Sequence, residues 1–179
     1  MAKLSELGKV MHEEHFRTLV LICGIENRIG GDAANRPIDP TDSEDRVLLE
    51  DLVEGLQEII GHNAFEESVL FPLLDSDGAG DLALLLTQEH FVMGPQAKRL
   101  RALASEILAC GASEERWATF RAVAAEFASQ LMGHLQKEEM TIVQRLSTLL
   151  DREVDHALAL RRTAERDRSK PAKRAGEAA

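Results

Sequence analysis

Four stretches of the chain carry apolar residues at alternating spacings of three and four, and each of these stripes contains one histidine. The 3-4 spacing places residues along one face of an α-helix, which is buried when helices pack together. No stretch alternates with the period of two that is typical of strands. We therefore predict an all-α protein: an up-down-up-down four-helix bundle with a short extra C-terminal helix and a disordered basic tail.

Turn and cap residues divide the chain into these helices. The four helices are expected to span roughly residues 4–30, 43–71, 81–110 and 114–150, and a shorter charged helix is expected to follow at roughly 151–167. Gly30, Pro72 and Gly111 are typical of helix ends, and Ser113 is typical of an N-cap. We predict one bundle domain over residues 1–150, with the charged helix and tail over residues 151–179.

The histidines interrupt stripes that are otherwise apolar or small. The second stripe continues through Ile59, His62, Glu66, Val69 and Leu73. The third stripe consists of Ala83, Leu86, His90, Met93, Ala97, Leu100, Ala104 and Ile107.

The stripe histidines are His15, His62, His90 and His134. On the second and fourth helices a glutamate follows four residues later, at Glu66 and Glu138. Residues four apart differ by about 40° and one turn of rise, so a histidine and its glutamate can point at one centre. In an up-down bundle the four histidines fall at similar depths, at about 1.5 Å of rise per residue. The pattern predicts a single metal site between the helices.

The buried charge of this pattern separates the metal site from its alternative, a metal-free interaction bundle. One buried histidine is common, but two unpaired carboxylates in an apolar core are very costly. A pair of cations would neutralise Glu66 and Glu138, and neutral imidazole is the commonest metal ligand in proteins. The sequence therefore favours a metal-binding function.

Several further residues near the stripes could add ligands. His12 lies one turn before His15 but off the stripe, so we expect His15 to be the first-helix ligand. Glu67 and Glu139 follow the stripe glutamates and point about 100° away, toward neighbouring groups or solvent. The off-stripe residues that remain open as additional ligands are His12, Glu67, Glu89 and Glu139. His156 is expected at the surface.

Charge and composition limit the class of partner. The net charge of −10 argues against nucleic-acid binding, and the basic residues from Arg161 onward are expected to lie in a solvated tail. No apolar run reaches the roughly 18 residues of a membrane span, and the first residues lack a secretory pattern. We expect a cytoplasmic protein in which Cys23 and Cys110 are buried free thiols.

Four motifs carry a resemblance to a known family. The segments "HEEHFRTL", "HNAFEESVLFPLL", "EHFVMGP" and "HLQKEE" resemble the hemerythrin-like (HHE cation-binding) family, over roughly residues 8–150. The resemblance implies a four-helix bundle with a non-haem di-iron centre bridged by an oxo or hydroxo group. By position, the resemblance implies that His15 and His62 are ligands of one iron. It implies that His90 and His134 are ligands of the other iron, and that Glu66 and Glu138 are the bridging carboxylates.

The chain departs from the pattern of the oxygen-carrying members at two points. Those members have a second histidine four residues along the third helix, where this chain has Gly94 after His90. On the fourth helix they have His-x-x-x-x-Asp, where this chain has His134 and Glu138. The resemblance then leaves each iron with an open or water-filled position, unless one of the four off-stripe residues fills it.

The expected function follows from this resemblance. We expect a di-iron protein that binds O₂, NO or peroxide at the His/Glu site, for sensing, buffering or protection of iron centres under stress. The alternative is a di-iron redox enzyme of the peroxidase, oxidase or NO reductase type. Manganese or zinc in place of iron, and the oligomeric state, remain open.

Overall fold

The structure, a computed structural model, describes residues 4–169, and helices account for almost all of them. No strand occurs within that range. The α-helices are α1 (Glu6–Ile29), α2 (Ser43–Phe65), α3 (Phe71–Ser76), α4 (Gly80–Cys110), α5 (Glu114–Met140), α6 (Ile142–Leu149) and α7 (Arg152–Ser169). A 3₁₀ turn follows α1 at Gly31–Asn35, and a π-helical turn joins α2 to α3 at Glu66–Leu70. The all-α prediction is confirmed.

The long helices α1, α2, α4 and α5 form a helical bundle. α1 packs against α2 and α5, and α4 packs against the same two helices. The expected signals end and begin these helices: Gly30 follows α1, Gly111 follows α4 with a positive φ, and the Ser113 side chain caps α5 by accepting a hydrogen bond from the backbone N–H of Arg116.

The buried apolar residues form two clusters, and the histidines lie between them. On α1, Met11 belongs to one cluster and Ile22 to the other, with His15 between them in sequence. On α4, Leu86 and Met93 flank His90 in the same way. On α2 the corresponding pair is Ile59 and Phe65. On α5 Leu131 precedes His134, and the other cluster is reached at Ile142 of α6. A polar layer therefore crosses the bundle between two apolar cores.

The C-terminal helix α7 packs against α1 and α2. Its buried Asp155 accepts hydrogen bonds from the backbone N–H groups of Glu6 (2.7 Å) and Leu7 (3.0 Å), so one carboxylate caps the start of α1. Ala159 belongs to the apolar cluster that contains Met11. His156 is exposed, as expected. The domain boundary at residue 150 stays a prediction.

The predicted end of the second helix near Phe71 is wrong. The chain widens into the π-helical turn Glu66–Leu70 and then continues as α3 to Ser76. Pro72 lies in the first turn of α3, a position where helices tolerate proline. Proline therefore begins this helix rather than ending the previous one.

The π-helical turn also changes which residues face the core. Beyond Glu66 the 3-4 stripe predicts Val69 and Leu73 inside, but both are half-buried in the structure. Leu70 and Leu74 are buried instead. A π turn holds one residue more than an α turn, so the register of the inner face moves by one residue.

The fourth predicted helix is also interrupted. It was expected to run from 114 to 150, but it breaks at Thr141, which separates α5 from α6. The Thr141 hydroxyl donates a hydrogen bond of 2.6 Å to the carbonyl of Lys137, four residues earlier. Threonine side chains that bond back to this carbonyl favour bends in helices.

Three further expectations need correction or fall outside the structure. Cys23 and Cys110 are free thiols, but both are exposed, because Cys23 lies about 100° from the buried Ile22 and Cys110 is the last residue of α4. Arg162 of the basic segment is buried rather than solvated. The predicted disordered tail began at 168, where the structure still has α7, and residues 170–179 lie outside the described residues. Within 4–169, no helix is both long and apolar enough to cross a membrane.

Candidate metal centre

The four stripe histidines meet in one buried layer, each contributed by a different long helix. His15, His62, His90 and His134 are between 1% and 7% exposed. They face one another in two pairs through their Nε2 atoms, which are 3.0 Å apart between His15 and His62 and 2.8 Å apart between His90 and His134. Imidazole nitrogens at this distance need a shared proton or an adjacent cation, because two lone pairs repel each other.

Glu66 and Glu138 lie between the two histidine pairs. Glu66 Oε1 is 3.3 Å from His62 Nε2, and Glu66 Oε2 is 3.6 Å from His90 Nε2. Glu138 Oε2 is 3.5 Å from His15 Nε2, and Glu138 Oε1 is 2.9 Å from His134 Nε2. Each carboxylate thus turns one oxygen toward each pair.

The six residues form two overlapping groups of potential metal ligands. The first group contains the His15–His62 pair, the second contains the His90–His134 pair, and both groups include Glu66 and Glu138. Within each group the nitrogen and oxygen atoms all lie within 4.8 Å of one another. The structure brings together all six residues that the sequence predicted for the site.

Each of the four histidines bonds a carboxylate through its outer nitrogen, Nδ1. These pairs are His15 with Glu139 (2.7 Å), His62 with Glu14 (2.8 Å), His90 with Glu67 (2.9 Å) and His134 with Glu89 (2.8 Å). A carboxylate at Nδ1 holds the proton there and leaves the Nε2 lone pair for a metal ion. It also fixes the orientation of the ring.

These contacts locate the off-stripe residues that the sequence left open. Glu67, Glu89 and Glu139 approach the outer nitrogens of the rings, and none belongs to either group of potential ligands. His12 is exposed, with its Nδ1 2.9 Å from Glu139 Oε2. In this geometry the three glutamates orient histidines.

Glu14 is the residue that the sequence reasoning missed. It is buried, bonds His62 Nδ1, and pairs with the buried Arg162 of α7 at 2.8 Å. Burial alone would raise the pKa of Glu14, but hydrogen bonds from His62 and Arg162 outweigh it and lower this pKa to about 2.

The sequence feature that could have indicated the burial of Arg162 is a helical stripe made mostly of charged residues. Asp155, Ala159, Arg162 and Arg166 follow a 4-3-4 spacing on α7. The first three are buried and the fourth is half-buried. A search for apolar stripes passes over this face because only Ala159 is apolar.

The surroundings of the histidines favour positive charge. Burial would lower the pKa of His62, but the carboxylates of Glu66 and Glu14 raise it to about 10. The pKa of His134 is raised in the same way, chiefly by Glu138 against the effect of burial. The pKa of Glu138 lies well below its usual range, because contact with His134 and the other histidines outweighs burial. A cluster with this balance attracts cations, whether protons or metal ions.

Three carboxylate oxygens in the polar layer accept no hydrogen bond from the described residues. Glu66 Oε2 and both oxygens of Glu138 are buried, and none receives a hydrogen bond from any part of the chain that the structure describes. A buried acceptor without a partner costs about 1–3 kcal/mol. A metal ion bound by these residues would satisfy such oxygens, so the donor set and its geometry fit metal binding.

Comparison with known proteins identifies the family. A sequence model described as the Hemerythrin HHE cation binding domain matches residues 5–146, which include all six residues of the two groups. Searches of curated proteins and of solved structures gave no match. The match covers most of the chain and the whole polar layer, and the chain therefore belongs to the hemerythrin HHE cation-binding domain family.

Proposed function

We propose that this protein holds two iron ions in the polar layer and binds O₂, NO or peroxide at that di-iron centre. The observation that carries the proposal is the sharing of Glu66 and Glu138 between the two groups of potential ligands. Each carboxylate directs one oxygen toward each histidine pair, which is the arrangement that a carboxylate bridging two ions requires.

The chain's own residues have distinct roles in this proposal. His15 and His62 hold one ion through Nε2, and His90 and His134 hold the other. The carboxylates at the four Nδ1 atoms keep the rings oriented and raise their basicity. The two apolar clusters bound the layer on either side along the bundle. When bound, the iron pair supplies redox-active ions with coordination positions for a small ligand.

The proposed topology is an up-down-up-down bundle over residues 1–150. The order of the two apolar clusters along the chain supports it. On α1 and α4 the cluster of Met11 precedes the histidine. On α2 it follows the histidine, at Phe65, and after His134 of α5 it is reached at Ile142 of α6, the helix that comes next in the chain. Helices that alternate in direction would give this reversal from each long helix to the next.

A cleft beside His90 gives a small ligand a route to the layer. It has a volume of about 390 Å³, and its wall includes His90, Gly94, Met93, Phe127 and Leu131. Apart from Gly94 itself, its two chain neighbours and the adjacent backbone of α4, no heavy atom of the described chain comes within 4 Å of the place where a Cβ of Gly94 would stand. The space at Gly94 supports the expectation that the ion of the His90 pair keeps a position for an exogenous ligand.

The donor set suits iron, because histidine and carboxylate ligands together favour metals of intermediate softness. Zinc and manganese are the other candidates for the same donors. We assign the protein to ligand sensing, buffering or protection of iron centres under stress, in the cytoplasm, without a nucleic-acid or membrane partner.

The test combines metal analysis with rapid mixing. The purified protein should contain about two iron ions per chain, and the reduced protein should give a lasting charge-transfer band with O₂ or NO. Rapid, repeated consumption of peroxide would favour the di-iron enzyme instead. Iron content near zero after growth and reconstitution in excess iron would reject both.

A further inference from the structure

We propose that Arg162 of α7 is a positioning residue for the ion held by His15 and His62, so that the docking of α7 and metal binding in that half of the centre depend on each other. This inference rests on the proposed di-metal function. It concerns a helix that lies outside residues 5–146, the part of the chain that matches the family.

The contacts run in an unbroken line from α7 to the polar layer. The Arg162 guanidinium donates to both oxygens of Glu14, from Nε at 3.1 and 2.9 Å, and lies 2.8 Å from Oε2 through Nη2. Glu14 Oε2 in turn accepts from His62 Nδ1 at 2.8 Å. His62 Nε2 then faces Glu66 and His15. A guanidinium that fixes both oxygens of a carboxylate also fixes the ring that this carboxylate orients.

Arg162 is also anchored on its other side. Its Nη1 donates to the backbone carbonyl of Gly61 at 3.1 Å, next to His62 in the chain. Its guanidinium carbon lies 5.4 Å from the centre of the Phe65 ring, one turn further along α2. α7 therefore holds both Glu14 and the segment of α2 that carries His62.

The other three orienting carboxylates are held differently. The side chains of Glu139 and Glu89 are 25% exposed and that of Glu67 is 46% exposed, whereas that of Glu14 is only 6% exposed. Glu89 has a cationic partner in Lys137, but the Lys137 side chain is itself 41% exposed. The Glu14–Arg162 pair thus combines a buried carboxylate with a buried cation.

The consequence is an asymmetric centre. Undocking of α7 would leave Glu14 buried without Arg162 and also without Arg166, which approaches it at 3.9 Å from the same helix. Glu14 would then turn toward solvent and release the His62 ring. Among the described residues, no hydrogen bond or ion pair joins α7 to His90, His134 or the carboxylates at their Nδ1 atoms, so this half of the centre should keep its ion. Binding linkage requires the reverse effect as well: an ion at His62 must stabilise the docked α7.

The experiment measures Co²⁺ binding to the metal-free full-length protein and to Arg162→Gln. The matched control is Arg161→Gln, which removes the neighbouring exposed arginine of α7, its pair with Glu165 and its own contact with the Phe65 ring at 5.8 Å, but leaves the Glu14–Arg162 pair in place. We expect two Co²⁺ sites in the parent and in the control. In Arg162→Gln one site should weaken by about 10–100-fold, the range found when an orienting partner of a metal ligand is removed. The other site should keep its affinity.

Histidine variants identify which site is affected. Arg162→Gln should weaken the remaining Co²⁺ site in a His90→Ala background and have no effect in a His62→Ala background. Amide hydrogen exchange gives an independent measurement, because Co²⁺ should slow exchange in α7 of the parent but not in α7 of Arg162→Gln.

If Arg162→Gln does not fold, the double variant Glu14→Gln with Arg162→Met replaces the buried pair by neutral side chains of similar size. A loss of at least about tenfold at one Co²⁺ site would support the proposal there too. Parent affinity at both sites, in whichever variant folds, would overturn it. A parent that binds no Co²⁺ would instead show that the proposed function itself has failed.

Discussion

Replacing Glu138 by glutamine tests the bridging geometry most directly. The side chain is fully buried, and its two oxygens face different histidine pairs, at 3.5 Å from His15 Nε2 and 2.9 Å from His134 Nε2. Glutamine keeps the size of the side chain but removes the anionic charge. If Glu138 bridges two ions, both ions lose an anionic donor in this one substitution.

The magnitude can be worked out from thermal stability. An ion present at about 1,000 times its Kd stabilises the folded chain by about 4 kcal/mol, so two ions add about 8 kcal/mol. A chain of this size gains about 2–4 °C in Tm per kcal/mol, so metal loading should raise the Tm of the parent by about 16–32 °C.

Loss of a directly bound carboxylate should lower the affinity for each ion by at least about 100-fold, since removal of an orienting partner alone lowers metal affinity by about 10–100-fold. At the same metal concentration each ion then adds only about 1.4 kcal/mol, and the rise in Tm falls to about 6–11 °C.

The assay is calorimetric unfolding of the protein with and without metal, together with the number of ions bound. Glu126→Gln is a suitable control, because Glu126 is an exposed glutamate of the same helix and should leave the metal-dependent rise in Tm unchanged. A variant Glu138→Gln that loses one ion and binds the other with parent affinity would show a terminal rather than a bridging carboxylate. Two ions bound with parent affinity would remove Glu138 from the site altogether.

Three further predictions follow from the same geometry. His15→Ala should abolish the charge-transfer band of the iron-loaded protein, whereas His12→Ala should keep it, because His12 is exposed and touches the layer only through Glu139; the opposite result in absorption spectra would reject the assignment of His15. Metal loading at pH 7.5 should release protons, because the pKa of His62 is raised to about 10 in the metal-free fold and the protonated ring must give up its proton to bind an ion. Protonation of His62 stabilises the metal-free fold fully below the ordinary histidine pKa of about 6.5, and this stabilisation is lost as the pH rises through 10. Calorimetric titration in buffers of different ionisation enthalpy measures this release, and heats independent of the buffer would contradict it. Gly94→Leu should slow the binding of azide to the loaded protein by at least about tenfold, because the new side chain would fill the cleft beside His90; an Ala variant is the graded control, and unchanged azide kinetics in stopped flow would show that the cleft is not the route.

The 3-4 spacing predicted the buried residues correctly where the helices are regular. All eight residues of the third stripe, from Ala83 to Ile107, are buried in the structure. The same reasoning brought the four histidines and the two stripe glutamates to one level, because the rise per residue converts sequence position into depth once the helices pack side by side. These parts of the fold depend on local spacing alone.

The prediction failed where contacts join residues far apart in sequence. Arg162 is 148 residues from Glu14, and no local pattern relates a charged position on the last helix to a glutamate on the first. The expectation that basic residues from Arg161 onward are solvated is correct for the exposed Arg161 and wrong for Arg162. Their burial depends on the face of α7 that meets α1 and α2, and this face is defined only by tertiary packing.

The pattern His-x-x-x-Glu-Glu occurs twice, at 62–67 and 134–139, and the two wrong helix boundaries lie at or near these segments. In each copy the first glutamate enters the polar layer, and the second reaches the outer nitrogen of a histidine on another helix, with Glu67 at His90 and Glu139 at His15. Two consecutive carboxylates of a regular helix diverge by about 100°, which makes this double use geometrically demanding.

Each copy lies at a departure from regular helix. The first Glu of one copy opens the π-helical turn Glu66–Leu70, and the second copy ends two residues before Thr141, where α5 breaks. π-helical turns occur frequently at functional sites, and local rules of sequence are most often broken where a site imposes its own geometry. The repeat is therefore one structural device used twice. It gives each ion of the proposed pair a shared carboxylate and gives one histidine on each side an orienting partner. In this chain a departure from α-helical periodicity begins within one His-x-x-x-Glu-Glu segment and two residues beyond the other.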